Sequence, residues 1–99
     1  MRRAQRLFYR KRHYADGGIA ELVLWLVPEQ VRGSQHNFRY RLFYGRPGEL
    51  EVLYDNEPGK GDHRHRGDHE EPYHFTTPEQ LIRDFLDDVQ RARQQLDGG

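Results

Sequence analysis

Phe38-Arg-Tyr-Arg-Leu-Phe-Tyr44 and Leu50-Glu-Val-Leu-Tyr54, with Gly45-Arg-Pro-Gly48 between them, decide the fold. Phe38, Tyr40, Leu42 and Tyr44 alternate with Arg39 and Arg41, the period-2 pattern of a half-buried strand, in which successive side chains point to opposite faces. Leu50, Val52 and Tyr54 alternate in the same way with Glu49, Glu51 and Asp55. The Gly-Arg-Pro-Gly segment carries turn-forming residues and joins the two runs as an antiparallel hairpin. Pairing Leu42 with Leu50, Tyr40 with Val52 and Phe38 with Tyr54 keeps the apolar side chains together and sets Arg41 opposite Glu51. A one-residue slip would place Glu51 among the aromatics, so this is the expected register.

Outward from this hairpin, Asp16-Gly17-Gly18 is a turn signal separating residues 7–14 from 19–27, which read as a second hairpin. Residues 19–27 are apolar on both alternating sets except at Glu21, the pattern of an interior strand covered on both faces. Residues 28–36 form a polar connection. Toward the C-terminus, Thr77-Pro78-Glu79-Gln80 carries an N-cap, a proline at the first helical position and a Gln that completes a capping box. Leu81, Ile82, Phe85, Val89 and Ala92 then fall on one helical face, with Arg83, Asp84, Asp87, Asp88 and Gln90 mostly away from it. The expected fold is α+β: a four-stranded antiparallel sheet packed by one C-terminal amphipathic helix, with a long His/Arg/Gly-rich loop between the last strand and the helix.

Ninety-nine residues fit a single domain spanning 1–99. Apolar residues make up 34% and charged residues 32%, so the core must be small and rich in the six Tyr, five Phe and one Trp, which leaves dimerisation as a further source of stability. The absence of cysteine removes disulfides, thiolate metal sites and thiol nucleophiles. No apolar run approaches the ~20 residues of a membrane span or forms a signal core, so a cytoplasmic location away from membranes is expected. The net charge is zero but sorted: residues 1–14 hold six cations and no acid, while residues 68–99 hold eight acids against Arg83, Arg91 and Arg93. Such sorting suits a basic face for phosphate and an acidic helix face for a partner, or an attraction between the two ends within the fold.

The chemistry concentrates in the twenty residues from Asp55 to His74, which hold four of the six histidines and show no apolar periodicity. His63-Arg64-His65-Arg66 would put both imidazoles on one side and both guanidiniums on the other. Two imidazoles can share the duties of general base and general acid, one taking a ribose 2′-OH proton and the other protonating the leaving 5′-oxygen. Lys60, Arg64 or Arg66 would then stabilise charge on phosphorus, a set that cleaves RNA with no cofactor. Gly59-Lys60-Gly61 also offers an anion nest. Two alternatives use the same residues: a basic tract that only binds nucleic acid, and a metal site of His63 and His65 with Asp62, Asp68 or His69. Asp55 and Asn56, at the strand end, suit orienting a histidine or holding the loop. Arg39 and Arg41 beside Tyr40, Phe43 and Tyr44 suit stacking on single-stranded RNA. His13, His36 and His74 each stand alone and read as structural or surface residues.

Several motifs are specific enough to carry a likeness. Trp25-Leu-Val-Pro28, Phe38-Arg-Tyr-Arg-Leu-Phe-Tyr-Gly45, Tyr54-Asp-Asn-Glu57, Gly59-Lys-Gly-Asp-His-Arg-His65, Pro72-Tyr-His-Phe75 and Asp84-Phe-Leu-Asp-Asp-Val89 together resemble the TumE family of toxin-antitoxin proteins. The resemblance spans about Arg12 to Val89. It implies a bacterial cytoplasmic toxin neutralised by an adjacent antitoxin protein, and it assigns no catalytic residue. The combined expectation is a toxin acting on RNA, with His63, His65, Lys60 and Arg64 catalytic and Arg66, Arg41, Asp55 and Asn56 binding. A non-enzymatic inhibitor is the alternative.

Overall fold

In the computed structural model, which describes residues 3–97, every strand pairs with its neighbour in sequence. Strands β1 (Gln5–His13), β2 (Ile19–Leu26), β3 (Phe38–Arg46), β4 (Glu49–Asp55), β5 (His63–Arg66) and β6 (His69–Pro72) form one antiparallel meander, followed by helix α1 (Pro78–Asp97). The sheet therefore has six strands rather than four, because the segment expected to be a loop folds back as the β5–β6 hairpin. Its strands are four residues long and hold no aliphatic residue, so apolar alternation could not announce them. Period 2 is written instead in His-Arg-His-Arg, where the Arg64 guanidinium lies 5.8 Å from the Tyr54 ring and 5.9 Å from the Tyr73 ring, supplying the contact that an apolar side chain would otherwise make.

The β3–β4 register also differs from expectation. Arg41 faces Asp55, Leu42 faces Tyr54 and Tyr44 faces Val52, an offset of four residues from the expected pairing. The turn is tighter than Gly45 to Gly48: only Pro47 and Gly48 lie outside the ladder, Gly48 has φ +76°, and the extra residue, Glu51, is absorbed as a bulge on β4 opposite the Tyr44–Gly45 step. Gly45 is required there, since a Cβ would fall 2.2 Å from the Glu49 carbonyl oxygen. An even offset preserves the faces, so the aromatics stay together, while Glu51 pairs with Arg46 at 2.6 Å and not with Arg41.

Helix α1 covers one sheet face only. Leu81, Phe85 and Val89 pack against Tyr40, Leu42, Tyr44, Val52 and Tyr54, with Ala20, Leu22 and Leu24 of β2 completing the core. The opposite side of β2 (Ile19, Glu21, Val23, Trp25) is only half-buried, so this strand is interior to the sheet but not covered on both faces. Thr77 Oγ1 accepts the Gln80 amide N–H at 3.1 Å, the expected N-cap, but the Gln80 side chain donates to Asp84 and leaves the capping box half made. Each large core phenol reaches a polar partner at the rim: Tyr40 and Tyr73 donate to Asp62 and Asp84 at 2.6 Å, Tyr54 donates to Asp88, and Tyr44 accepts from Arg93 at 2.9 Å. Asp88, expected to lie away from the core, is buried for that reason. Burial, reinforced by these carboxylate partners, pushes the Tyr40, Tyr54 and Tyr73 hydroxyls well above the usual phenol range. No helix among the described residues is long and apolar enough to cross a membrane.

Candidate functional site on the open sheet face

The ladder sets side chains in rows across the uncovered face. One row runs Tyr9, Val23, Arg41, Asp55, His63, Pro72 from β1 to β6, and the next runs Lys11, Glu21, Phe43, Leu53, His65, Glu70. His63 and His65 are thus neighbours on the open face, both half-buried, with ring centroids 5.6 Å apart. Arg64 and Arg66 point to the helix side, as alternation requires.

The two imidazoles have different partners. His63 Nδ1 lies 3.0 Å from the Gly61 carbonyl oxygen, an acceptor only, so Nδ1 carries the proton and Nε2 of the neutral ring is left with its lone pair. His65 Nε2 lies 3.5 Å from a Glu70 carboxylate oxygen. One ring is therefore anchored to a backbone carbonyl and the other stands beside a carboxylate. One ligand atom from each of His63, His65 and Glu70 also lies within 4.8 Å of the other two, a spacing compatible with a metal ion. The third donor is Glu70; of the three partners expected from sequence, Asp62 turns away into its own network, and Asp68 and His69 lie at the far end of the hairpin.

Other residues expected to join the imidazoles separate from them. Arg64 donates to Glu71 and to the Tyr54 hydroxyl, both at 3.1 Å, and approaches the buried Asp88 at 3.7 Å, while Arg66 bridges Glu71 and Asp88. Burial opposes the Arg64 charge, but Tyr54, Glu71 and Asp88 outweigh it and raise its pKa, so this cation is fixed in a structural network. Lys60 is largely exposed and pairs with Glu57 at 3.3 Å. The expected anion nest is closed: the Gly59 and Lys60 amides donate to the Arg32 and Glu57 carbonyls, and a Cβ on Gly33 would lie 2.8 Å from the Gly61 nitrogen. Asn56 is completely buried, accepting from the Tyr40 amide at 2.9 Å and donating to the Phe38 carbonyl at 2.7 Å, which makes it a strut between β3 and the loop after β4. Asp55 does lie on the imidazole face, directly across the ladder from His63, and accepts from Arg39 at 2.9 Å with Arg41 at 3.8 Å. Arg41, about half exposed, is the nearest open cation in that row.

His36 does not stand alone. Its Nδ1 accepts the Phe38 amide at 3.1 Å, its Nε2 meets Asp62 at 2.7 Å, and its ring stacks on Phe75 at 3.9 Å. Burial works against the Asp62 charge, yet hydrogen bonds from Ser34, Tyr40 and His36 hold its carboxyl below the usual range. Both ring nitrogens of His36 are engaged, so this pair latches the 28–37 connection to the loop before β5 and leaves no nitrogen for chemistry. The contact joins residues 26 apart in the chain, and no local pattern signals it.

The fold and the face together define a small α+β protein whose open sheet surface carries two adjacent histidines with different partners. Residues 1–93 match the family model described as toxin TumE, and the chain belongs to that family. Membership makes it a toxin component, with an antitoxin as its general class of partner. No curated protein and no solved structure matches the chain.

Proposed function

We propose that this toxin acts on RNA by metal-independent cleavage at His63 and His65, in the cytoplasm where RNA and a cognate antitoxin meet. The observation that carries the reading is the pair of adjacent imidazoles on the open face, one held through Nδ1 by the Gly61 carbonyl and one beside a carboxylate. His63 Nε2 takes the 2′-hydroxyl proton, and the 2′-oxygen attacks the adjacent phosphorus. The bond to the 5′-oxygen breaks, and that oxygen takes a proton from His65 in its imidazolium form, leaving a 2′,3′-cyclic phosphate and a 5′-hydroxyl. Arg41 meets the negative charge on the phosphoryl oxygens, and Asp55 fixes the two arginines of β3 behind it. Lys60, Arg64 and Arg66 take structural or peripheral parts.

A second reading is favoured by the spacing of His63, His65 and Glu70: a bound divalent ion that activates water for a metal-dependent cut. Purified protein incubated with total RNA, with and without EDTA, decides between them. Cleavage that persists in EDTA supports acid-base chemistry, and cleavage lost in EDTA supports the metal. Intact RNA in both arms, with toxicity kept in cells, overturns the nuclease reading in favour of a non-enzymatic inhibitor.

A further inference from the structure

The open face extends well beyond the imidazoles. Arg6 stands opposite Trp25 and Trp25 opposite Arg39, while Tyr9, nearly half exposed, sits one row away across from Val23. Phe43 occupies the row of Lys11 and lies under the Arg41 guanidinium at 5.6 Å. The aromatics of β1, β2 and β3 are therefore interleaved with cations on one surface that no helix covers. The acids there are already engaged: Glu21 accepts from the Tyr9 hydroxyl at 2.7 Å, and Asp55 is shared by Arg39 and Arg41. Arg6 and Lys11 make no ion pair among the described residues.

We propose that the open face of β1–β3 is a platform for single-stranded RNA, with unpaired bases stacking on Trp25, Tyr9 and Phe43 and phosphates held by Arg6, Lys11, Arg39 and Arg41. This rests on the RNA reading above and names the form of RNA that the site takes. Charge complementarity selects a polyanion. The rings select exposed base faces, which a duplex hides and a single strand offers. Strands about 4.8 Å apart put Trp25 on β2, one row along from Val23, roughly 16 Å from His63 on β5, so a strand stacked on the platform continues along the Arg41 and Asp55 row into the imidazoles. Stacking reads no base edges, so the platform tolerates sequence and the requirement is for an unpaired segment.

Trp25 is the single tryptophan of the chain, which makes its emission a direct reporter. The His63→Ala/His65→Ala protein, which binds without cutting, is titrated with a short oligouridylate, a short oligoadenylate and the duplex the two form. Both single strands quench Trp25, and the duplex quenches far less. Trp25→Leu, followed by anisotropy of labelled strands, weakens binding by about ten- to a hundredfold, the loss expected for one stacked base. Arg6→Gln and Lys11→Gln lie on the exposed surface and spare the core; each lowers the slope of log affinity against log salt by about 0.7. Unchanged emission with every strand, or equal quenching by the duplex, overturns the proposal. If purified antitoxin alone quenches Trp25, the face is a protein interface and the proposal also fails. Quenching without cleavage by the wild type leaves the platform standing and removes only the catalytic reading; cleavage without quenching does the reverse.

Discussion

Replacing Arg64 and His63 by alanine, one at a time, separates the two faces of β5. Arg64 holds Glu71 and the Tyr54 hydroxyl at 3.1 Å and lies 3.7 Å from Asp88, whose side chain is only 3% exposed. Severing a buried ion pair outright costs about 3–5 kcal/mol, but Asp88 keeps Tyr54, Arg66 and Arg91, and Glu71 is partly solvated. The loss is then nearer one charge-assisted hydrogen bond, about 2 kcal/mol. For a domain of this size that lowers Tm by about 8–16 °C. RNA cleavage per folded molecule, measured well below Tm, stays at the wild-type rate. His63→Ala reverses the pattern: one half-exposed hydrogen bond to Gly61 is lost, at about 1 kcal/mol or less, while cleavage falls by about 10²–10⁴. Thermal unfolding by circular dichroism and a gel assay on the same preparations provide both numbers. An Arg64→Ala protein with wild-type Tm and no cleavage would refute the division of labour, as would undiminished cleavage by His63→Ala.

Gly45→Ala forces a Cβ against the Glu49 carbonyl and costs about 1–3 kcal/mol by denaturant titration; a neutral result would mean that this close approach beside the β4 bulge is not needed for the register. Thr77→Ala removes the N-cap of α1 and lowers stability by about 1 kcal/mol, seen as a shift in the urea midpoint with an unchanged slope. Asp16 is held below the usual carboxylate range by the Gly18 amide and by Arg93 and Arg46, against a smaller opposing effect of burial. Because its folded pKa is depressed, its contribution is present above the unfolded value of about 3.9 and lost as pH falls through the folded one. Wild type is therefore more heat-stable than Asp16→Asn near neutral pH, and the two Tm curves converge below about pH 4.

The helix, the N-terminal hairpin and the aromatic face of β3–β4 were legible because each rests on local signals: a cap, an Asp-Gly-Gly turn and a strict alternation. The β5–β6 hairpin was not, since its strands trade apolar side chains for arginines stacked on tyrosines, and hydrophobic pattern is blind to that exchange. The β3–β4 register was hidden because Gly45 pairs with Leu50 and the one-residue bulge falls at Glu51 on β4, a backbone irregularity that side-chain alternation does not mark. Within the site, alternation puts His63 and His65 on one side and Arg64 and Arg66 on the other, which separates Arg64 from the imidazoles, while Lys60 lies in the loop before β5 and pairs with Glu57. Glu70 and Arg41 reach the imidazole face through pairings between strands, which depend on the register and not on distance along the chain.

The most direct test of the central claim is the chemistry of the RNA ends left by the purified toxin in EDTA. Cleavage by the two imidazoles leaves 2′,3′-cyclic phosphates paired with 5′-hydroxyls from single-stranded substrate, formed by the wild type and abolished in His63→Ala/His65→Ala. Ends bearing 5′-phosphates, or the same fragments from the double variant, would contradict it.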